Sequence, residues 1–556
     1  MCLALTLNGF VLLQRINVAP YQSTSMQAKK EKEDYEEEEE VNADCPKVLA
    51  LAQGDGDPRK EPVRCVLLDS FGRLRRSTTF AHLREVQTAK DEDALSGYEI
   101  RKRREQMEDP RQEFLEFVKE CKPDVIVIGG FTARTVALRD QVRKLAQQAE
   151  KEIAEELDYK YEDQVLCKID VIHTHDDVAR LYRHSQLAAE EYPELSQTGR
   201  YCLALARYVQ SPIQEFAALG DDLTAVSFYE YQRLVPHEVL LKHLHYSMIT
   251  YVNDLGVDIH AALSNPYYQR MLQFIAGFGP RKAAGFVRNC VALLDSKVVN
   301  RLALLQKDIL GARTWTNAAS FLRIEQDQDD DDDDDDERSG GQGQRDILDS
   351  TRIHPEDYDY ARKMAADALG KDEEDIEAVH PSTPCKELME RDDAQAKLGV
   401  LDLESYATML ETHHNIRKRN TLTLCSEELV HPYRELRGTF VLPTLDEILT
   451  MFTGETKRSI DLQLVIAVTI MRIVERVPDE EQDAHPYPYL AVRMECGLEG
   501  SIHAPYAIAD YDVQAQRDSR GMTSSVKLGS RYRVGQSLNA LIIAIDLESL
   551  TLELSA

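Results

Sequence analysis

Two glycines one residue apart, followed by a proline and two cations, equip the stretch Gly277-Phe278-Gly279-Pro280-Arg281-Lys282 to hold a phosphate. Glycine adopts backbone angles that a side chain forbids, so a Gly-apolar-Gly step can turn the chain tightly between two helices. Pro280 suits the first turn of the second helix, whose unpaired amides would point outward beside Arg281 and Lys282. Contacts of this kind grip a nucleic-acid backbone without reading its bases. The same residues could equally close a helical corner with two solvated cations, and this stretch alone leaves both readings open.

The elements that must position these residues lie on either side. An apolar helical segment around Leu272 to Ile275 runs into the turn, and a helix from Pro280 leaves it, a pattern that resembles a helix-hairpin-helix. A long amphipathic helix from about Pro236 to Asn253 precedes it, with Leu240, Leu244, Met248 and Val252 on one face. A second turn at Leu310-Gly311-Ala312-Arg313-Thr314-Trp315 lacks one glycine, which predicts a weaker grip, and Trp315 reads as core.

Further upstream, Val48 to Ala52, Val63 to Leu68 and Ser77 to Phe80 read as a three-strand meander, with a turn at Phe71-Gly72-Arg73. A helix over Arg111 to Cys121, a buried strand Asp124 to Ile128, a helix from about Ala133 and a strand Lys168 to Ile172 follow. The order β-β-β-α-β-α-β is that of an RNase H-like fold. A nuclease of that fold needs carboxylates at the ends of its first and fourth strands to hold two divalent cations. Here Ala52-Gln53-Gly54 and Gly129 stand at those places. Asp55, Asp57, Asp176 and Asp177 are nearby in sequence, but loop caps and solvated turns account for them better. His173 and His175 read as surface residues, not a metal site.

Near the other end, the segment from His354-Pro355-Glu356-Asp357-Tyr358 through Phe452 reads as a compact helical domain without a catalytic constellation, His413-His414 being a solvated pair. The last hundred or so residues read as strands. Gly497-Leu498-Glu499-Gly500-Ser501-Ile502-His503, with Val534-Gly535, Ile545-Asp546 and Leu554-Ser555 beyond, is the pattern of an S1-type OB-fold barrel, a platform for single strands. Ala491 occupies the place usual for a stacking aromatic, which leaves Tyr487, Tyr489 and His503 as candidates there.

A chain of 556 residues is roughly three to five domains long. Its 43% hydrophobic and 29% charged content describes globular domains joined by acidic segments. The net charge of -31 is concentrated in two runs, Glu31 to Glu40 and Asp327 to Glu337. Such runs are solvated surface, or compete with nucleic acid for basic partners such as histones. Ten cysteines without a C-x-x-C pair read as reduced thiols of the nucleus or cytosol. No apolar run is long enough for a membrane span, so a membrane partner is not expected, and Met1 to Leu13 lacks the flanks of a signal peptide.

Larger blocks carry a family likeness. Tyr251-Val252-Asn253-Asp254-Leu255-Gly256-Val257-Asp258-Ile259, Asn265-Pro266-Tyr267 and Phe274 through Ala283 resemble the core signature of the Tex and Suppressor-of-Ty-six family. Tyr208 to Pro212, Arg352 to Tyr358, Ala361 to Met364 and the barrel pattern fall in that family's order, from about residue 45 to the end. The acidic insert and the domain opened by Ile353-His354-Pro355 favour its eukaryotic branch.

The resemblance implies a multidomain α+β architecture. Its expected parts are a helix exit and acidic linker (1–44), an RNase H-like domain called YqgF (45–185), a helical region with the hairpin (186–325), an acidic linker (326–345), a death-like helical domain (346–456) and an S1 domain (457–556). Relative to the family, an upstream acidic helical region and a downstream pair of SH2 domains are expected to be missing. It further implies a nuclear, non-enzymatic elongation factor and histone chaperone without cofactor or metal. DNA, nucleosomes, core histones and the RNA polymerase II elongation complex would be its partners, with RNA a further one. The competing readings are a metal-dependent nuclease and an RNA-binding module acting through the barrel.

Overall fold

The computed structural model describes residues 2–33, 45–54, 62–80, 83, 110–156, 165–229, 231–324, 345–371, 381–391, 393–475, 487–508 and 528–556. Asp55, Asp57 and most of both acidic runs lie outside them. The chain divides into two compact units, one of residues 1–19 and 212–438, the other of 20–211 and 439–556. Among the described residues no helix is long and apolar enough to cross a membrane.

The chain opens on α1 (Cys2–Ile16), whose end is the helix exit expected there. The sheet of the second unit follows: β1 (Val48–Gln53), β2 (Val63–Leu68), β3 (Leu74–Phe80), β4 (Val125–Gly129) and β5 (Asp170–Ile172), in the order β3-β2-β1-β4-β5. β1 pairs antiparallel with β2 and parallel with β4, the topology expected of an RNase H-like fold. Successive residues of a strand face opposite sides, so a sheet covered on both faces must be apolar throughout. Leu49, Leu51, Ile126 and Ile128 meet Phe114, Leu138 and Val142 on one side, the last two from α2 (Thr135–Glu156). Val48, Ala50, Val125 and Val127 meet α3 (Gln197–Gln210) on the other. Tyr201 through Gln210 are all buried. This apolar helix therefore packs with the sheet, beyond the expected boundary at 185, and Ala179, Tyr182, Ala188 and Leu195 share its core.

The first unit is helical. In it α1 packs on α4 (His237–Leu255), where Tyr251 donates a 2.6 Å hydrogen bond to Asn17. β6 (Val257–Asp258) then leads to α5 (Pro280–Leu294), α6 (Arg301–Gln306), α7 (Ala312–Ala318) and β7 (Leu322–Arg323). β6 and β7 pair in parallel and close the base of the hairpin region. Beside them Arg301 is fully buried. Its guanidinium donates to the carbonyls of Leu322 (2.7 Å), Thr351 (2.6 Å) and Ile353 (2.9 Å) and to the Tyr358 hydroxyl (3.0 Å). Tyr358 in turn donates to Asp349 at 2.6 Å, and the Trp315 indole donates to the Arg301 carbonyl at 3.0 Å. The next helices, α8 (Tyr358–Leu369), α9 (Leu403–His414) and α10 (Arg419–Val430), share a core of Tyr358, Met364, Leu410, Leu422 and Leu429.

Back in the second unit, α11 (Leu445–Thr453) starts on a Thr444/Glu447 capping box. Its Ile448, Leu449 and Phe452 pack into the core of the barrel, so this helix sides with the barrel and not with the helical domain assigned to 346–456. The barrel comprises β8 (Val465–Val474), β9 (Tyr489–Arg493), β10 (Glu499–His503), β11 (Ser537–Asp546) and β12 (Thr551–Ser555). It closes in the order β10-β12-β11-β8-β9, and β10 with β12 is the parallel pair.

Two measurements probe these packings. A Cβ on Gly129 would lie 2.6 Å from the Tyr201 hydroxyl, so Gly129→Ala should cost about 1–3 kcal/mol, read in a thermal or denaturant melt. Burial pushes the Asp349 carboxyl up from 3.8 to about 6, so the folded protein keeps a proton there that the unfolded chain has released. That contribution is present below about pH 4 and is lost as pH rises to about 6. Melts of the parent should lose stability relative to Asp349→Asn across that window.

Candidate nucleic-acid interface

The hairpin is built as the glycine spacing predicts, with two differences. Gly277 and Gly279 both hold left-handed backbone angles, φ of +85° and +97°. A side chain on Gly277 would press on Asn317 of α7, its Cβ being 3.3 Å from theirs, while Gly279 faces open space. Phe278 turns inward, its ring centroid 5.4 Å from that of Phe286. The segment entering the turn, Tyr268–Phe274, is a 3-10 helix instead of an α-helix. The second difference concerns Lys282. Its ammonium donates to the Gly277 carbonyl at 2.8 Å and to the Thr314 hydroxyl at 3.2 Å. Lys282 thus fastens the turn to α7, while Arg281, on the same first turn of α5, stands exposed with Arg288 two turns further on.

The second glycine turn does not repeat this geometry. Gly311 has an ordinary φ of -65° and caps α7, whose residues brace the first hairpin; Trp315 is buried as expected.

At the sheet end the space of a nuclease's fourth-strand acid is filled. Leu205 and Tyr201 of α3 abut Gly129, and the Tyr201 hydroxyl accepts from the Gly130 amide at 3.2 Å and donates to Asp176 at 2.7 Å. Asp176 also accepts from Arg180 at 2.8 Å, and burial pushes its carboxyl up to about 6. It is neither a solvated cap nor a ligand in a cluster, since no group of three or more His, Cys, Asp or Glu among the described residues could hold a metal. His173, expected at the surface, is buried beneath the Phe452 ring, 5.3 Å between centroids. Its Nδ1 lies 2.7 Å from the Ile128 carbonyl, and burial holds the ring's pKa down at about 4, so it donates there as neutral imidazole.

In the barrel, Tyr487 is half-buried, whereas Tyr489 and His503 are 5% and 7% exposed, their rings 6.1 Å apart. The Tyr489 hydroxyl accepts from Arg472 at 3.2 Å. Glu499 of β10 accepts from Arg134 at 2.7 Å. Tyr489 of β9 and His503 of β10, paired across the two strands, are both buried and offer no open ring face for a base, contrary to expectation.

The chain matches the Transcription elongation factor SPT6 of Mycosarcoma maydis at 43% identity over 548 residues, 98% of this chain and 30% of that protein. The chain belongs to the SPT6 family. Residues 42–220 match the YqgF profile described as Holliday-junction resolvase-like of SPT6, 221–325 a helix-hairpin-helix motif and 346–437 an HHH domain. Transcription elongation factor spt-6 of Neurospora crassa is 34% identical over 98% of this chain and 34% of its own length; spt6 of Schizosaccharomyces pombe is 32% identical over 92% and 32%. The chain thus spans about a third of the length of the curated relatives it matches.

The profile limits agree with the packing of this SPT6-family chain at two points. The YqgF match runs past 185 and takes in α3, and the HHH match ends at 437, before α11. It assigns the segment expected as death-like to a helical HHH domain. Sequence reasoning missed the roles of Arg301 and Thr314, whose partners lie far along the chain; the turn geometry signals neither. Lys282→Ala should lower stability by about 1 kcal/mol, since it strips two hydrogen bonds, while Arg281→Ala should leave the melt unchanged.

Proposed function

We propose that this chain is the core of a nuclear transcription elongation factor that acts with RNA polymerase II, contacts DNA and nucleosomes through its hairpin, and serves as a histone chaperone. The observation that carries the DNA reading is the fastened turn at Gly277 to Lys282, which presents Arg281 and the start of α5 on a rigid support. The relatives' naming as transcription elongation factors supports work alongside the transcription machinery. The net charge of -31 and its two acidic runs support capture of basic core histones.

A scaffold needs no chemistry at the sheet end, and the packing of Tyr201 and Leu205 against Gly129 supports that reading over a metal-dependent nuclease. The barrel's parallel β10–β12 closure supports an S1-type OB-fold, and RNA contact through it would rest on Tyr487. The 346–437 helices serve as a brace, whatever their kinship to death-like domains.

A mobility-shift titration on duplex DNA tests the hairpin. Arg281→Glu combined with Arg288→Glu should weaken binding to all sequences alike and reduce the salt slope by about one for each phosphate no longer neutralised. Affinity and slope equal to the parent's would reject the reading.

A further inference from the structure

A second tip in the helical unit repeats the logic of the first with different residues. Helix α9 ends on Asn415, a left-handed residue with φ of +54°, and the amides of Asn415 and Ile416 both close on the Leu410 carbonyl. Helix α10 begins three residues after Ile416, so Arg417, Lys418 and Arg419 stand in a row at the tip. Leu410, Leu422, Cys425 and Leu429 are buried beneath it and hold both helices.

The three cations divide their roles. Lys418 turns in, its ammonium 2.6 Å from Asp357 and 6.0 Å from the Tyr360 ring centre. Arg417 and Arg419 turn out, their side chains 86% and 58% exposed, and pair with Glu411 at 3.0 Å and Glu404 at 2.8 Å. Around them is an open cavity of about 280 Å³ lined by Ala407, Glu411, Arg417, Lys418, Arg419, Asn420 and Thr421. In both tips a left-handed residue precedes an apolar one, a lysine fastens the turn, and arginine is left facing out.

We infer that the Asn415 to Thr421 tip is a second contact for a nucleic-acid phosphate backbone. Exposed arginine–glutamate pairs contribute at most about 1 kcal/mol, so a phosphate can replace either glutamate at little cost. The guanidinium fork fits phosphate oxygens bidentately. Apart from Ala407 the residues around the cavity are polar or charged, which suits a backbone of repeating charges better than a peptide that needs an apolar anchor. The inference takes its ligand class from the reading that the chain binds DNA, and the experiment separates the two.

Parent chain, Arg281→Glu/Arg288→Glu, Arg417→Glu/Arg419→Glu and the milder Arg417→Gln/Arg419→Gln are titrated against duplex DNA across a range of salt, with melts of each. Lys418 is left in place because it fastens the tip. The glutamate pair should lose affinity on the order of tenfold, with a salt slope lower by about two, and the glutamine pair should lose less. Melts should coincide with the parent's. Should both Arg417/Arg419 variants bind as the parent does while the first-hairpin variant weakens, the inference fails and the proposed function stands. A parent that binds no DNA removes both. Loss of a polyglutamate probe with DNA affinity retained would assign the tip to acidic peptides and overturn the inference.

Discussion

Burying a guanidinium is costly unless every donor finds an acceptor, and Arg301 meets that demand with groups drawn from separate stretches of chain. Leu322 belongs to the strand that closes the hairpin region, Thr351 and Ile353 to the segment leading into the next helices, and Tyr358 to α8 itself. These hydrogen bonds tie the hairpin region to the helices after it. Tyr433 and Arg352 add to the same junction, Tyr433 donating to the Ser320 carbonyl at 2.6 Å and Arg352 pairing with Glu428 at 2.9 Å.

That constraint bears on binding because a phosphate contact is useful only when held at fixed geometry. A flexible cation must lose its freedom when it binds, whereas one on a braced turn already has its backbone fixed. Lysine and arginine are suited to different halves of this work. The compact ammonium can reach a carbonyl and a hydroxyl at once inside a turn, as Lys282 does. The planar guanidinium remains charged and forked at the surface, as with Arg281. The second role depends on the first.

Much of the architecture was legible, and what failed has a common cause. The sheet order, the glycine turn, the closing barrel and the missing acids at Ala52 and Gly129 all follow from patterns within short windows. Arg301 did not, because a buried arginine looks like a surface one until its acceptors, 21 to 57 residues away, are placed around it. His173 and Tyr489 failed similarly: a residue at a strand end or in a barrel wall has a face, but only its neighbours decide whether that face is covered. The apolar residues of helices α3 and α11 did not specify which surface buries them.

The sheet end shows why the loss of acids there is more than a change of two residues. A two-metal site needs carboxylates around a space that water and substrate can enter. In this chain α3 occupies that space, with the Tyr201 hydroxyl bridging the Gly130 amide and Asp176. A carboxylate placed at 129 would meet Tyr201 and Leu205 before it met a cation. Restoring such a site would require the helix to withdraw, and the helix cannot withdraw without uncovering Val48, Ala50, Val125 and Val127. The interaction that fills the site is thus the same one that stabilises the sheet.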